Sequence, residues 1–180
     1  MMRDLSQYDG LRPLIQSGDL VEWASNGLVG KAIMAVTGKA VSHSSLVIKL
    51  PYKGTPRRYV IEAVRTGVEF RLLSEELQTY DGKAIWYGLK AEYDNLRDGI
   101  AEWAFNELAS GKKYDFGGVL AQLWGKVSLD SKRYYCSELI DMAYIKAGII
   151  QPSPKGVRVP GDFVPLGIFG SQAHLWGEQD

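Results

Sequence analysis

Two apolar runs joined by a short polar stretch constrain this chain more than any other feature. Ser42-His43-Ser44-Ser45-Leu46-Val47-Ile48 and Tyr59-Val60-Ile61-Glu62-Ala63-Val64 are rich in β-branched residues and read as strands entering a core. Pro51-Tyr52-Lys53-Gly54-Thr55-Pro56-Arg57 between them has the glycine and prolines of a connection, so the two strands should pair as an antiparallel hairpin. A loop folding symmetrically about Tyr52 and Lys53 would bring Glu62 opposite His43 on the same face. A slip of one residue would turn it away. Glu62 sits among Val60, Ile61, Ala63 and Val64, where an ionised carboxylate is costly without a partner, and an imidazole N–H is a suitable one. The competing reading is an edge strand with Glu62 facing water. His43, at the mouth of its strand, would be held rigidly, as a general base should be.

The chain has one cysteine. Cys136 lies in Tyr134-Tyr135-Cys136-Ser137-Glu138-Leu139-Ile140, where a pair of aromatics gives way to an amphipathic helix. At a helix N-terminus the unpaired backbone N–H groups and the macrodipole favour a thiolate, lowering the thiol pKa below its usual value near ~8.5. Cys136, Ile140, Ala143, Tyr144 and Ala147 share one helical face, so the thiol should point with the packing residues and meet the sheet at His43. A thiol on an apolar helix face also reads as plain core. The other histidine, His174, falls in Gly170-Ser171-Gln172-Ala173-His174 and reads as part of an exposed, fraying tail.

His43, Glu62 and Cys136, in that order, carry a family likeness. Gly18-Asp19-Leu20-Val21 matches its opening strand, Thr37-Gly38 through Ser42-His43-Ser44 its histidine strand, and Tyr59-Val60-Ile61-Glu62-Ala63 the strand of its third residue. Gly111-Lys112-Lys113-Tyr114-Asp115-Phe116 matches its Tyr-Asp turn, and Tyr135-Cys136-Ser137-Glu138-Leu139 its nucleophile helix. The chain resembles the circularly permuted branch of the NlpC-type papain-like cysteine hydrolases, the YaeF/YiiX-like amidase group, in which the histidine strand precedes the cysteine helix. The resemblance implies an α+β papain-like fold, with a nucleophile helix packed against a curled antiparallel sheet. It departs at Ser44-Ser45, where the family often has an apolar or glycine pair.

Length and apolar content fit one domain over residues 1–180. Lysine plus arginine and aspartate plus glutamate both number 21, leaving no excess positive field for nucleic acid or an anionic membrane. The basic residues from Lys53 to Arg58 read as a solvated hairpin loop. A lone cysteine allows no internal disulfide and suits a reducing, cytoplasmic setting. The N-terminal residues lack the apolar run of a signal peptide or membrane span. There is no Gly-Lys-Ser/Thr phosphate loop, metal-ligand spacing or Gly-x-Ser-x-Gly elbow, so neither cofactor nor metal is expected.

Further strands are expected over 19–23, 67–72 and 83–89, the last ending the sheet. Helices are expected over 28–36, stopped by Gly38; from Ser74 as cap; from Asp94 as cap to about Ser110, with Trp103 on its buried stripe; over 116–124; and from Cys136 to Ala147, stopped by Gly148. The chemistry these residues suit is acyl transfer through a thioester, with Cys136 as nucleophile, His43 as base and acid, and Glu62 orienting the imidazole. Tyr114, Trp23 and Tyr135 are the candidate substrate walls. A small amide, peptide or acyl compound is the expected substrate. A thiol acyltransferase or lipid-amide hydrolase, similar to the lecithin:retinol acyltransferase-like group, and a non-catalytic binding module remain alternatives.

Overall fold

The computed structural model of the protein describes residues 3–64, 67–110 and 135–177, without the side chains at 63, 64, 67, 135 and 136. Its centre is a six-stranded sheet of β1 (Leu20–Ser25), β2 (His43–Leu50), β3 (Arg57–Val64), β4 (Gly67–Leu72), β5 (Gly82–Leu89) and β6 (Phe169–Trp176). The strands lie in the order β4-β3-β2-β1-β5-β6, each antiparallel to its neighbours. Around it stand α1 (Ser6–Leu11), α2 (Leu28–Thr37), α3 (Leu73–Thr79), α4 (Arg97–Ala109) and α5 (Tyr135–Lys146). The fold is the expected α+β arrangement with an antiparallel sheet, and α5 packs on β2 and β3.

Both faces of the sheet are buried, which is why its inner strands read as nearly continuous apolar runs rather than as alternating ones. Leu20, Leu46, Ile48 and Ile61 pack against Ile100 and Ala104 of α4 and Leu139, Ile140, Ala143 and Tyr144 of α5. Residues one position along point the other way. Val21, Trp23, Val47 and Val60 pack against Tyr8 of α1 and Leu73 and Leu77 of α3. No helix among the described residues is long and apolar enough to cross a membrane.

One polar node fixes how these layers meet. Asp19, 1% exposed just before β1, accepts hydrogen bonds from Gln16 N at 2.8 Å, Trp86 Nε1 at 2.9 Å and Leu89 N at 3.0 Å. The Arg97 guanidinium, at the start of α4, donates to it at 2.7 Å and to the carbonyls of Ser17 and Leu89. The carboxylate thus joins β1, β5 and α4, with no acceptor capacity wasted.

Several expectations need correcting. The strand over 83–89 does not end the sheet, because β6 pairs beyond it. His174 is therefore no fraying tail: it is half-buried, pairs with Ile85, and its Nδ1 is buried without a hydrogen-bond partner among the described residues. Ser74 does not cap α3, which starts one residue earlier because Leu73 is drawn into the core. Asp94 lies in a 3-10 turn, Ala91–Leu96, and its carboxylate accepts from Arg97 instead of capping α4. Arg58 is no solvated loop residue. It is 5% exposed and donates to the carbonyls of Ile15 and Pro56. The helix expected over 116–124 lies outside the described residues.

Removing the buried carboxylate leaves the N–H groups of Gln16, Leu89 and the Trp86 indole without their acceptor and leaves Arg97 with only the exposed Asp94 as counter-ion among the described residues. Asp19→Ala is expected to lower unfolding free energy by about 3 to 5 kcal/mol, measured by urea denaturation. Asp19→Ala with Arg97→Ala should lose less than the sum of the single changes, since the two act through one contact.

Candidate functional site

His43 opens β2 and Glu62 lies near the end of β3, the two strands of one hairpin. Their pairing runs Leu46↔Ile61, Val47↔Val60 and Ile48↔Tyr59. Continued, it sets Glu62 level with Ser45 rather than His43. The register is two residues away from a fold symmetric about Tyr52 and Lys53, because the turn centres on Lys53 and Gly54. A shift of two preserves the face, so Glu62 lies diagonally from His43 and still reaches it. His43 Nε2 meets Glu62 Oε2 in a short contact. Both are buried, at 9% and 6% exposure, and β3 is an inner strand, so Glu62 does not face water.

Burial alone would push the Glu62 carboxyl up. The charge and hydrogen bond of His43 outweigh it, with smaller help from Arg71 and Ser45, and hold the carboxyl below its ordinary range. A carboxylate only accepts, so Nε2 carries a proton in either charge state of the ring, and Nδ1 is the nitrogen that gives up its proton when the ring is neutral.

Ser45, on the same face, ties the pair to the core. Its hydroxyl accepts from Trp23 Nε1 at 2.9 Å and lies 3.4 Å from both Glu62 Oε2 and His43 Nε2. Trp23 is the cross-strand partner of His43, 1% exposed, and its ring packs on Tyr80 with centroids 4.7 Å apart. It is a core residue, not an open substrate wall: the indole's own N–H is consumed in fixing Ser45. Sequence reading noted Ser45 only as part of the Ser44-Ser45 departure from the family, although its two-residue spacing from His43 places it on the same face.

The thiol is a different matter. Cys136 is the second residue of α5, inside the first turn, where backbone N–H groups have no helical acceptor. The side chains of Tyr135 and Cys136, and all of Tyr114, lie outside the described residues. The buried stripe of α5 packs on Leu20, Leu46, Ile48 and Ile61, whereas His43 and Glu62 follow Val47 and Val60 onto the other face. The expectation that the packing stripe itself meets His43 is therefore corrected by strand parity. His43 is the first residue of β2.

The fold and this buried pair can be set beside known proteins. A family model described as permuted papain-like amidase enzyme, YaeF/YiiX, C92 family, matches residues 15–158. The chain belongs to this family. No curated protein matches it. Among solved structures it is similar to a crystal structure of metalloprotein yiiX from Escherichia coli O157:H7, with a TM-score of 0.52 and 27% identity over 73% of this chain. The match spans 66% of that protein's chain. Among the described residues of this family member, no three of His, Cys, Asp and Glu converge as ligands for a metal ion.

This chain carries a second buried acid that sequence reading passed over. Glu22 on β1 is 0% exposed and lies on the α5 side of the sheet. Its Oε2 meets Ser44 Oγ at 2.7 Å and its Oε1 accepts from Gly161 N at 3.1 Å. A lone acid inside Leu20-Val21-Glu22-Trp23 was the available signal. Burial raises it to about 7, against its ordinary 4.5, with the bonds from Ser44 and Gly161 opposing the rise.

The folded state therefore binds this proton more tightly than the unfolded chain does. The associated stability is fully present below pH 4.5 and is lost as pH rises through about 7. At about 1.4 kcal/mol per tenfold change in proton affinity, the loss is roughly 3 kcal/mol. Glu22→Gln can accept from Gly161 and donate to Ser44 without a charge. Its urea stability is expected to match the parent near pH 4.5 and to exceed it at pH 8.

Proposed function

We propose that the protein is a cysteine amidase or peptidase that cleaves a small amide or peptide bond through a thioester, with Cys136, His43 and Glu62 as its triad. The observation that carries this reading is the buried pairing of His43 with Glu62, in a member of the permuted papain-like amidase family. His43 Nδ1 takes the Cys136 proton, and the thiolate attacks the carbonyl carbon. The imidazolium gives that proton to the leaving amine as the C–N bond breaks. Water then cleaves the thioester, releasing the acid and regenerating the thiol. Glu62 holds the ring and stabilises its cation, and Ser45, held by Trp23, positions Glu62. The backbone N–H of Cys136 is one oxyanion donor. Tyr114 and Tyr135 line the cleft in this reading, and the lone reduced thiol suits the cytoplasm.

The first test is the pH dependence of Cys136 alkylation, read by intact mass. The parent should label fast well below pH 8.5, His43→Ala should shift that profile upward, and Glu62→Gln should do so less. A thiol that labels only after unfolding, or identically without His43, would sink the triad.

A further inference from the structure

The turn of the β2–β3 hairpin, α1 and the start of α3 border an open-mouthed cavity of about 400 Å³. Four cations line it, Arg12, Lys53, Arg57 and Arg58, together with Tyr8 and Tyr52, and no carboxylate does. In a chain whose acids and bases balance overall, this is a local segregation of charge that draws anions.

The cations are arranged rather than merely crowded. Arg58 forms a fixed wall, its guanidinium bonded to the carbonyls of Ile15 and Pro56. Arg57 lies 4.6 Å and Lys53 5.5 Å from the ring centroid of Tyr52, one aromatic holding two cations. Among the described residues neither is paired with a carboxylate. Arg12 has only an exposed, 3.8 Å contact with Asp9.

Backbone strain at Lys53 points the same way. Thr55 N donates to Tyr52 O at 2.9 Å, closing a turn in which Lys53 has φ 44° and Gly54 φ 80°. Both central residues are left-handed, a turn that prefers asparagine or glycine where Lys53 stands. Among described residues other than glycine, Lys53 alone has a positive φ. Strained positions of this kind cluster at ligand sites, and here the strain falls on a residue that lines the cavity.

We infer that this cavity binds a phosphate ester. A guanidinium fork, an ammonium and a second guanidinium offer more donors than a single carboxylate can use, and they suit the several oxygens of a phosphate dianion. The organic part of the ester would lie against Tyr52. Arg58 and Glu62 share a face of β3 four residues apart, about 13 Å along the strand, with Val60 of the apolar core between them. The site is therefore separate from the proposed triad and does not rest on it.

Phenyl phosphate titrated into the full chain by calorimetry at low salt tests the assignment. Saturable one-to-one binding is expected, weakening as salt rises. Arg57→Gln and Lys53→Asn should each weaken it about tenfold or more. Lys53→Asn should also raise Tm, since asparagine tolerates the turn, a combination that a purely structural lysine would not produce. Arg71→Gln, which removes a nearby cation already paired with Glu69 and Glu76, should leave binding unchanged. Competition by vesicles containing phosphatidic acid would assign the ester to a lipid, and its absence to a soluble compound. No saturation by about 10 mM, equal affinity in the two cavity variants, or equal weakening by Arg71→Gln overturns the site. Cys136 labelling should be the same in all variants, which keeps this outcome apart from that of the triad.

Discussion

The Asp19–Arg97 contact is the constraint on which the other placements depend. β1 is the strand about which the sheet order turns, with β2 on one side and β5 on the other. Its entry is fixed by a carboxylate that simultaneously holds the end of β5 and the start of α4. Tyr144 of α5 adds to the same corner, donating from its hydroxyl to Gly18 O at 2.8 Å. Apolar burial is non-directional and would let helices slide on the sheet. Directed bonds to one buried residue fix the position of β1, and the positions of Trp23, His43 and Ser45 follow from it by strand pairing.

Three buried acids show how surroundings set charge. Asp19 and Glu22 are pushed up by burial, the hydrogen bonds each receives offsetting only part of the rise. Glu62, buried slightly less than either, is pulled down because the charge and hydrogen bond of His43 outweigh its burial. Glu22 and Glu62 lie on opposite faces of the same sheet, the first facing α5 and a backbone N–H, the second facing His43. One residue type thus serves as a near-neutral tether on one side and a persistent anion on the other.

Much of this was legible in the chain itself. The β-branched runs became β2, β3 and β4, and Gly38 and Gly148 stop their helices in left-handed conformations at φ 66° and 74°. The pairing of His43 with Glu62 was readable because face depends on parity, which survived a displaced turn. Register did not survive it, since one residue at the turn becomes two along the strands. β6 escaped notice because Gly170-Ser171-Gln172 is polar, and its strand character comes from the backbone of β5 rather than from its own side chains. Arg58 and Glu22 were hidden for a related reason: the Ile15 carbonyl that holds the first, and the Ser44 hydroxyl and Gly161 N–H that hold the second, are distant in sequence, and no local pattern reveals them.

That late strand has a consequence for how the chain acquires its shape. β2, β3 and β4 are neighbours both in sequence and in space, so their hairpins can close locally as soon as they are made. β5 must cross to pair with β1, and its far edge is covered by β6, which lies about eighty residues further along the chain. Until those residues arrive, β5 presents an unpaired row of backbone donors and acceptors beside Ile85, Trp86 and Tyr87, a template for another chain. During synthesis the last strand is thus a cover for a sticky edge, and a chain halted before residue 169 would be prone to self-association even with every other strand in place.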